Sequence, residues 1–180
     1  MPDLQRYRRR LHITTLKNEQ LRLELDTLAK SLNVSIVKDS SADENYYTLA
    51  MKFPPARFTG RQFEELMPFA EVFSKLSLVS SGIQDEGLYH IGQMSNLQAL
   101  YLQKTNLDGS GLIHLRNLEK LEVLNLSYTK VDDKSALDLL KIPNLREVYL
   151  FQTKASVDVI KALQQYKPGL RILVEEGPYH

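Results

Sequence analysis

Two histidines are the residues whose types and spacing first suggest chemistry. His90 and His114 stand 24 positions apart in the similar segments GLYHIG and GLIHLR, and imidazole nitrogens are frequent metal ligands. A protein zinc site uses three or four ligands, and no third ligand stands near these two in the sequence. We therefore expect both histidines to be structural or solvated, and we predict no metal site.

Three other clusters carry reactive or charged groups. Asp132 and Asp133 are adjacent, which suits paired acid-base chemistry, although a helix cap beside a solvated turn explains them better. Gly109-Ser110-Gly111 is predicted to be a turn, because it lacks the strand and lysine context of a phosphate-binding loop. The basic run Arg6 to Arg10 includes one aromatic residue, Tyr7, a poor match to a nucleic-acid site. We predict neither enzymatic activity nor nucleic-acid binding.

The composition further limits the classes of protein to which this chain can belong. The chain has 180 residues, 43% hydrophobic, and a net charge of +1, which suits one domain with a substantial core. Its first 22 residues nevertheless carry six basic and two acidic side chains. Cysteine is absent, which excludes disulfides, thiolate metal sites, cysteine nucleophiles and covalent c-type haem. With no signal-peptide core and no long apolar run, we predict a soluble chain without membrane insertion or cofactor.

One stretch, Leu97 to Lys141, organises the chain because it repeats one pattern. LQALYLQKTNLDGSGLIHL begins at Leu97 and LEVLNLSYTKVDDKSALDLL at Leu121, with equivalent residues 24 positions apart. A period between 20 and 29 with the pattern L-x-x-L-x-L is typical of a leucine-rich repeat. We predict an α/β fold: a short leucine-rich-repeat solenoid with parallel strands on its concave face, short helices on its convex face and an N-terminal helical cap.

The repeat units set the predicted domain organisation. Units begin near residues 49, 73, 97, 121 and 145, with a half-repeat at 170. We predict an N-terminal helical part, cap or linker, over residues 1–33, and a repeat domain over residues 34–180. The unit near 49 is divergent, as terminal repeats often are. A shift of 25 aligns its residues Phe53, Phe58, Phe63, Leu66 and Phe69 with Leu78, Ile83, Leu88, Ile91 and Met94.

The N-terminal part has helical periodicity over residues 3–32. Weak helix formers at residues 12–15 permit either one helix with a soft middle or two helices that meet near Thr15. Asn33 tolerates a left-handed conformation and is predicted to end the helical part. Two roles remain open: Leu21 to Leu32 packs as a solenoid cap, or the helix is a coiled coil or linker with Asn18 at an a position.

The repeat register predicts the direction of individual side chains. Strands are expected at 34–37 and 47–53, and the inward residues of the central repeats are Leu100, Leu102, Leu124, Leu126, Val148 and Leu150. A hydroxyl column is expected to bond the turn backbone through Ser81, Thr105, Thr129 and Thr153. Asp85 and Asp133 are predicted helix N-caps. Inner apolar faces with i, i+3, i+6 spacing are expected in segments 88–94, 112–118, 136–142 and 160–166.

The repeat text resembles one bacterial class of leucine-rich repeats. The segments LNLSYTKVDD, LREVYLFQTKASVDVIKALQQYKPGLRI and GLYHIGQMSNLQALYLQKTNL look like the repeat segment near the C-terminus of planctomycete and Bacteroidetes cytochrome-associated membrane proteins. The likeness spans about residues 25–175 and includes no catalytic residues. It implies a recognition or scaffold segment of a larger exported or membrane-attached assembly. Because C-x-x-C-H is absent, no haem function transfers.

The residues between the inward leucines form the concave surface on which repeat proteins bind partners. The predicted partner-binding residues are Tyr101, Gln103, Asn125, Tyr149 and Phe151, with the three aromatic rings expected to be exposed as at interface hot spots. We predict a non-enzymatic module that binds a protein, or as second choice a glycan. Two alternatives stay open: the rings only shield the sheet, or the chain is a spacer that oligomerises through its N-terminal helix.

Overall fold

The computed structural model describes the backbone of residues 2–40, 46–53, 55 and 58–175, and the side chains from residue 17 onward within these ranges. The strands are β1 (Val34–Lys38), β2 (Tyr47–Met51), β3 (Phe73–Ser77), β4 (Ala99–Tyr101), β5 (Val123–Asn125), β6 (Glu147–Tyr149) and β7 (Arg171–Leu173). The α-helices are α1 (Pro2–Ser31), α2 (Gly60–Leu66), α3 (Gly87–Ile91), α4 (Asp133–Ala136) and α5 (Val157–Tyr166). Three 3₁₀ helices span Met67–Val72, Leu112–Asn117 and Leu137–Lys141.

The strands form one sheet in sequence order. β1 and β2 pair antiparallel, and every pair from β2 to β7 is parallel. The register keeps the 24-residue period, because Leu76, Leu100, Leu124, Val148 and Ile172 are successive partners. A helical segment follows each strand from β2 to β6, so the chain is a short leucine-rich-repeat solenoid, as predicted.

The inward positions of the strands build the core. Leu100, Leu102, Leu124, Leu126 and Val148 have no solvent exposure. Each fully buried leucine contributes about 1.5–3 kcal/mol of hydrophobic free energy. Stacking one repeat on the next is therefore the main source of stability, and the predicted inward register is confirmed.

The helical segments explain the apolar spacing of three. A 3₁₀ helix has three residues per turn, and the one at Leu112–Asn117 buries its first and fourth residues. α5 is a ten-residue α-helix instead, and it buries Val159 and Leu163, which are four apart. The expected inner position of Tyr166 is therefore wrong, and this side chain is 73% exposed.

A common turn follows the strands of the repeats. In four of these turns a hydroxyl donates to the carbonyl three residues earlier at 2.6–2.8 Å, as predicted, from Ser81, Thr105, Thr129 and Thr153. The residue before each hydroxyl has a left-handed backbone, with φ between 54° and 59°, at Ser80, Lys104, Tyr128 and Gln152. Asn33 also has a positive φ of 52°, which confirms its predicted left-handed conformation just after α1.

The N-terminal part is one continuous helix, so the single-helix alternative is correct. Its C-terminal half packs on the body through Leu25 and Leu28, and Leu32 just beyond it is also buried. Predictions about the side chains of residues 1–16, and about residues 41–45 of the polar turn, lie outside the described residues. Over the helices that the structure describes, none is long and apolar enough to cross a membrane.

The divergent first unit pairs differently from the predicted alignment. Leu49 of β2 lies opposite Leu76 of β3, an offset of 27 rather than 25, and the register shifts at Tyr47. Phe53 falls beyond the end of β2 and is 95% exposed, whereas Leu78 is fully buried. The alignment of Phe53 with Leu78 is therefore wrong.

Two acidic side chains, Asp85 and Asp133, each join one repeat to the repeat that follows. The carboxylate of Asp85 accepts hydrogen bonds from the backbone N–H groups of Asp108, Gly109 and Gly111 at 2.9–3.0 Å. Asp85 therefore bonds the following repeat instead of capping its own helix, and the predicted N-cap role is wrong. All three donors belong to one loop of the following repeat, residues 108–111.

Asp133 has the same inter-repeat role. It accepts hydrogen bonds from the backbone N–H of Ser156 at 2.6 Å and from its hydroxyl at 2.8 Å. The N-cap of α4 is Asp132, whose carboxylate accepts from the Ser135 N–H at 2.9 Å. The prediction that Asp133 caps this helix is one residue too late, because the residue at the extended N-cap position is Asp132.

Two glycines allow the repeat backbones to touch. A Cβ at Gly92 would lie 2.2 Å from the carbonyl oxygen of His114, and one at Gly111 would lie 2.3 Å from that of Asp85. Any side chain at these positions would separate the two repeats. The predicted turn at Gly109-Ser110-Gly111 therefore allows neighbouring repeats to pack closely.

Candidate functional site

The outward side chains of the strands form rows across the concave face. One row runs through Ser77, Tyr101, Asn125 and Tyr149, which are successive partners in the register. The next positions along the chain, Gln103, Ser127 and Phe151, follow the strand ends. Backbone hydrogen bonds between neighbouring repeats continue past the strands into the turns, since the Lys104 N–H donates to the Ser127 carbonyl at 3.0 Å. The five predicted site residues thus lie in two neighbouring rows.

Three of those five residues are buried. Asn125 is 3% exposed, Tyr149 7% and Gln103 7%. Adjacent strands are about 4.8 Å apart, and Asn125 lies between Tyr101 and Tyr149 in the register. The Asn125 oxygen is also committed to its own turn, because it accepts from the Ser127 N–H at 2.9 Å. The expectation that Tyr149 is exposed is wrong.

Tyr149 is fixed by two charged neighbours. Its hydroxyl donates to the Glu147 carboxylate, which also accepts from the Arg171 guanidinium at 3.2 Å. Burial, and then the hydrogen bond and negative charge of Glu147, raise the pKa of Tyr149 to about 12. The Tyr101 hydroxyl adds to this rise, while Arg171 opposes it. Tyr149 is therefore a neutral, oriented donor at physiological pH.

Three aromatic side chains retain partial exposure on this side of the sheet, and we call them the aromatic patch: Tyr101, Tyr128 and Phe151. The Tyr128 and Phe151 rings meet edge to face, with centroids 5.2 Å apart and an interplanar angle of 85°. The Lys104 ammonium lies 5.3 Å from the centre of the Tyr128 ring, within cation–π range. The patch combines aromatic area with a positive charge.

Sequence reasoning missed Tyr128 and Lys104. Both occupy the left-handed turn position, 24 residues apart, where a strand pattern assigns no direction to the side chain. The signal that would have revealed them is the column itself, since Ser80, Lys104, Tyr128 and Gln152 stand directly before the hydroxyl column.

Gln103 carries an unusual polar atom. Its side-chain oxygen is buried and has no hydrogen-bond partner within the described part of the chain. A buried acceptor without a partner costs about 1–3 kcal/mol. Because most buried polar atoms in proteins are hydrogen-bonded, this oxygen is a candidate acceptor for a donor from a bound partner.

The other reactive groups of the sequence serve structure. His90 stacks on Phe63 with centroids 5.2 Å apart, and Tyr89 packs edge-on against both His90 and His114. Among the described residues, no group of three His, Cys, Asp or Glu side chains is placed to hold a metal ion.

The adjacent residues Asp132 and Asp133 have different structural roles. Asp132 caps α4, and Asp133 bonds Ser156 of the next repeat. Hydrogen bonds from the Ser135 side chain and backbone lower the pKa of Asp132, which keeps it ionised as a cap. A proton-transferring carboxyl needs the opposite, a pKa nearer neutrality. The carboxylates of both residues are engaged in hydrogen bonds within the fold.

Comparison with known proteins gives likenesses of structure only. No protein-family model matches the sequence, and no curated protein matches it either. The C-terminal domain of tropomodulin from Caenorhabditis elegans aligns over 62% of this chain and 77% of its own, with 16% identity and a TM-score of 0.48. A leucine-rich-repeat protein of Leptospira interrogans aligns over 64% of this chain and 34% of its own, with 17% identity and a TM-score of 0.47.

Proposed function

We propose that this chain is a non-enzymatic interaction module that binds a protein segment against the concave face of its sheet. The observation that carries the proposal is the aromatic patch, whose three rings are half-buried and lie close together on the concave side of the sheet. Tyrosine and other aromatic residues are enriched at the energetic centres of protein interfaces. Tyr101, Gln103 and Phe151 keep their predicted role in this proposal, together with Tyr128.

Asn125 and Tyr149 take a supporting role. Asn125 closes its own turn, and Tyr149 is bonded to Glu147. These contacts hold the two side chains in one conformation, so little side-chain entropy is lost at this part of the face when a partner docks. Truncation of either residue would lower stability as well as binding, which makes them poor probes.

The geometry of Tyr128 favours a protein over a glycan. Sugars stack on open faces of aromatic rings, whereas one face of Tyr128 is occupied by the Lys104 ammonium and Phe151 meets the ring at a right angle. The accessible part of the patch therefore combines partly exposed rings with a positive charge. Such a surface suits apolar side chains and an acidic group of a polypeptide.

Selection of binding peptides tests this proposal. A displayed peptide library is panned against the full chain, and the affinity of each selected peptide is measured by calorimetry. We expect the triple variant Tyr101→Ala, Tyr128→Ala, Phe151→Ala to bind at least about 30-fold more weakly, equivalent to the roughly 2 kcal/mol of a hot spot. The control variant Tyr89→Ala, Tyr166→Ala removes two exposed rings elsewhere and should bind as the unaltered chain does. Peptides that bind the triple variant normally would exclude the concave site.

The resemblance of the repeat text to cytochrome-associated membrane proteins supports a narrower proposal. On that basis the module serves as the recognition or scaffold segment of an exported or membrane-attached assembly. Proximity labelling with the chain expressed in such a bacterium should mark envelope proteins. Labelling confined to cytoplasmic proteins would contradict this setting without affecting the concave site.

A further inference from the structure

A cavity opens between the start of α2, the loop that follows β3 and the start of α3. Its volume is about 480 Å³, within the roughly 300–1,000 Å³ of pockets that hold small ligands. None of the residues proposed for the concave site lines it. The cavity is therefore a second place at which this chain could bind a ligand, independent of the aromatic patch.

Aromatic rings form the apolar part of the lining. Phe58 and Phe63 meet edge to face with centroids 4.8 Å apart, and the His90 ring stacks on Phe63 with centroids 5.2 Å apart and an interplanar angle of 8°. Both phenylalanines are almost completely buried, so the three rings hold one another in place. A Cβ at Gly60, which also lines the cavity, would meet no atom within 4 Å. The lining is thus preformed on its aromatic side and open beside Gly60.

Three polar side chains at the cavity lack partners within the described part of the chain. Gln84, Glu86 and Asn106 line the cavity and are exposed at its rim, and the side chain of each makes neither a hydrogen bond nor an ion pair there. Thr59 is engaged instead in the cap of α2, because its N–H donates to the Gln62 side-chain oxygen at 2.9 Å. The cavity therefore offers one carboxylate and two primary amides to a ligand.

The later repeats use the equivalent position of Gln84 for their own turns. The residues 24, 48 and 72 positions after it are Asp108, Asp132 and Ser156. The side chain of each accepts a hydrogen bond from a backbone N–H two or three residues later, at 2.9–3.3 Å. Gln84 makes no such bond within the described residues. Its amide is therefore available at the cavity, whereas its equivalents are not.

The space and the charge of the cavity both follow from one missing side chain. Gly82 lies where the following repeats carry Asn106, Lys130 and Lys154. The two lysines line a second cavity that also contains aspartates, so charges of both signs are present there. In the first cavity Glu86 is a carboxylate, and no lysine or arginine is among the described residues of the lining. The first cavity consequently favours a cation.

We propose that this cavity binds a guanidinium group, carried either by a small free molecule or by an arginine side chain of a partner protein. The Glu86 carboxylate and the amide oxygens of Gln84 and Asn106 are acceptors, and a guanidinium supplies five N–H donors in one plane. Pairing with a carboxylate is frequently bidentate. A guanidinium is also more weakly hydrated than an ammonium and packs on aromatic rings. The partly aromatic lining therefore favours guanidinium over an ammonium of the same length.

Titration with two matched probes tests the ligand class. Butylguanidinium and butylammonium differ only in the cationic group, and nitrogen–proton NMR spectra of the full chain report on the backbone amides of Gly60, Gly82 and Gly87 at the cavity. We expect saturable shifts at these amides and a dissociation constant at least about tenfold lower for butylguanidinium. Equal dissociation constants for the two probes, or shifts that do not saturate, would overturn the proposal.

A neutral replacement of the carboxylate tests the contact itself. Glu86→Gln keeps the shape of the side chain and removes its charge, so the dissociation constant of butylguanidinium should rise at least about tenfold. The matched control is Glu119→Gln, which removes an exposed carboxylate outside the cavity and should bind as the unaltered chain does. Unchanged affinity in Glu86→Gln would contradict the assignment. Thermal unfolding of each variant confirms that the repeat body remains folded.

A further variant removes a cation of the chain that could compete. Arg57 precedes Phe58 in the sequence and lies outside the described residues, so the titrations are repeated in Arg57→Ala. The affinity for butylguanidinium should stay the same or rise. A fall as large as that of Glu86→Gln would contradict the proposed contact.

Two peptides distinguish the source of the guanidinium. Acetyl-Gly-Arg-Gly-amide should bind more tightly than its lysine counterpart, and equal affinities would count against the proposal. Tighter binding of the arginine peptide than of butylguanidinium would assign the cavity to an arginine of a partner protein, and weaker binding would assign it to a small molecule. The triple variant of the aromatic patch should retain this binding, because the cavity contains none of the three rings.

Discussion

At the scale of single residues, what a side chain does on the concave face depends on its neighbours across the strands. Tyr101 and Tyr149 both point out of the sheet, yet one is half-buried and the other 7% exposed. The Tyr149 hydroxyl is bonded to Glu147 of the same strand, and Glu147 in turn pairs with Arg171 of the next strand. A period-two pattern predicts the direction of these residues and says nothing about such contacts.

The raised pKa of Tyr149 predicts how stability depends on pH. The folded state holds this proton more tightly than the unfolded chain, whose tyrosine pKa is near 10, since the folded value is about 12. The contribution is complete below pH 10 and is lost as pH rises through about 12. We expect the unaltered chain to lose stability over this interval more steeply than Tyr149→Phe, as measured by urea unfolding. Tyr166→Phe, at an exposed site, should follow the unaltered chain; identical profiles for all three would refute the prediction.

The unpaired oxygen of Gln103 predicts a gain of stability with a loss of function. Gln103→Met keeps the length of the side chain and removes the buried acceptor, so thermal stability should stay the same or rise. Affinity for peptides selected on the concave face should fall. Gln164→Met, at an exposed position of α5, is the control and should change neither quantity. A clear loss of stability in Gln103→Met would show that the amide has structural partners.

At the scale of elements, the repeats are joined by contacts that sequence patterns describe poorly. The leucines, the hydroxyl column and the left-handed Asn33 follow from period, residue type and local turn chemistry, and these were predictable. Asp85 and Asp133 were not, because an aspartate before a helix has the same local sequence whether it caps that helix or bonds the next repeat. The exposure of Phe53 was not predicted either, because the strand of the divergent unit has an irregular register at Tyr47 that the sequence pattern does not reveal.

The Asp85 contact can be tested by its removal. Asp85→Ala leaves three backbone N–H groups of the following repeat without their acceptor. We expect a loss of roughly 1.5–3 kcal/mol in the free energy of unfolding, the range for a hydrogen bond to a charged group. Glu86→Ala removes the adjacent carboxylate, whose side chain makes no capping bond, and should be close to neutral. Equal urea midpoints for the two variants would show that the Asp85 hydrogen bonds do not contribute to stability.

At the scale of the whole molecule, a solenoid gains stability from each repeat and from each interface between repeats. The central repeats have a neighbour on both sides, so a change in their core affects two interfaces. The overall architecture was therefore the most predictable property of the chain. The proposed binding surface was the least predictable, since Tyr128 reaches it from a turn and the burial of Asn125 and Tyr149 depends on their neighbours.

Leu124→Ala tests the stacking of the central repeats. Leu124 is fully buried between Leu100 and Val148, and its truncation should lower the free energy of unfolding by about 2–5 kcal/mol. Chemical denaturation followed by circular dichroism measures this change. Leu137→Ala, at a side chain with 43% exposure, should have a much smaller effect. An unchanged midpoint for Leu124→Ala would contradict the register of the sheet.

The close approach of the repeats at Gly92 and Gly111 has a mechanical consequence. With backbone in contact on one side of the solenoid and hydrogen-bonded strands on the other, neither side can compress, and the curvature of the sheet is fixed before any ligand arrives. The concave face is therefore expected to be rigid. For the proposed function, a rigid face favours an unstructured segment, which can adapt its own shape, over a preformed globular surface.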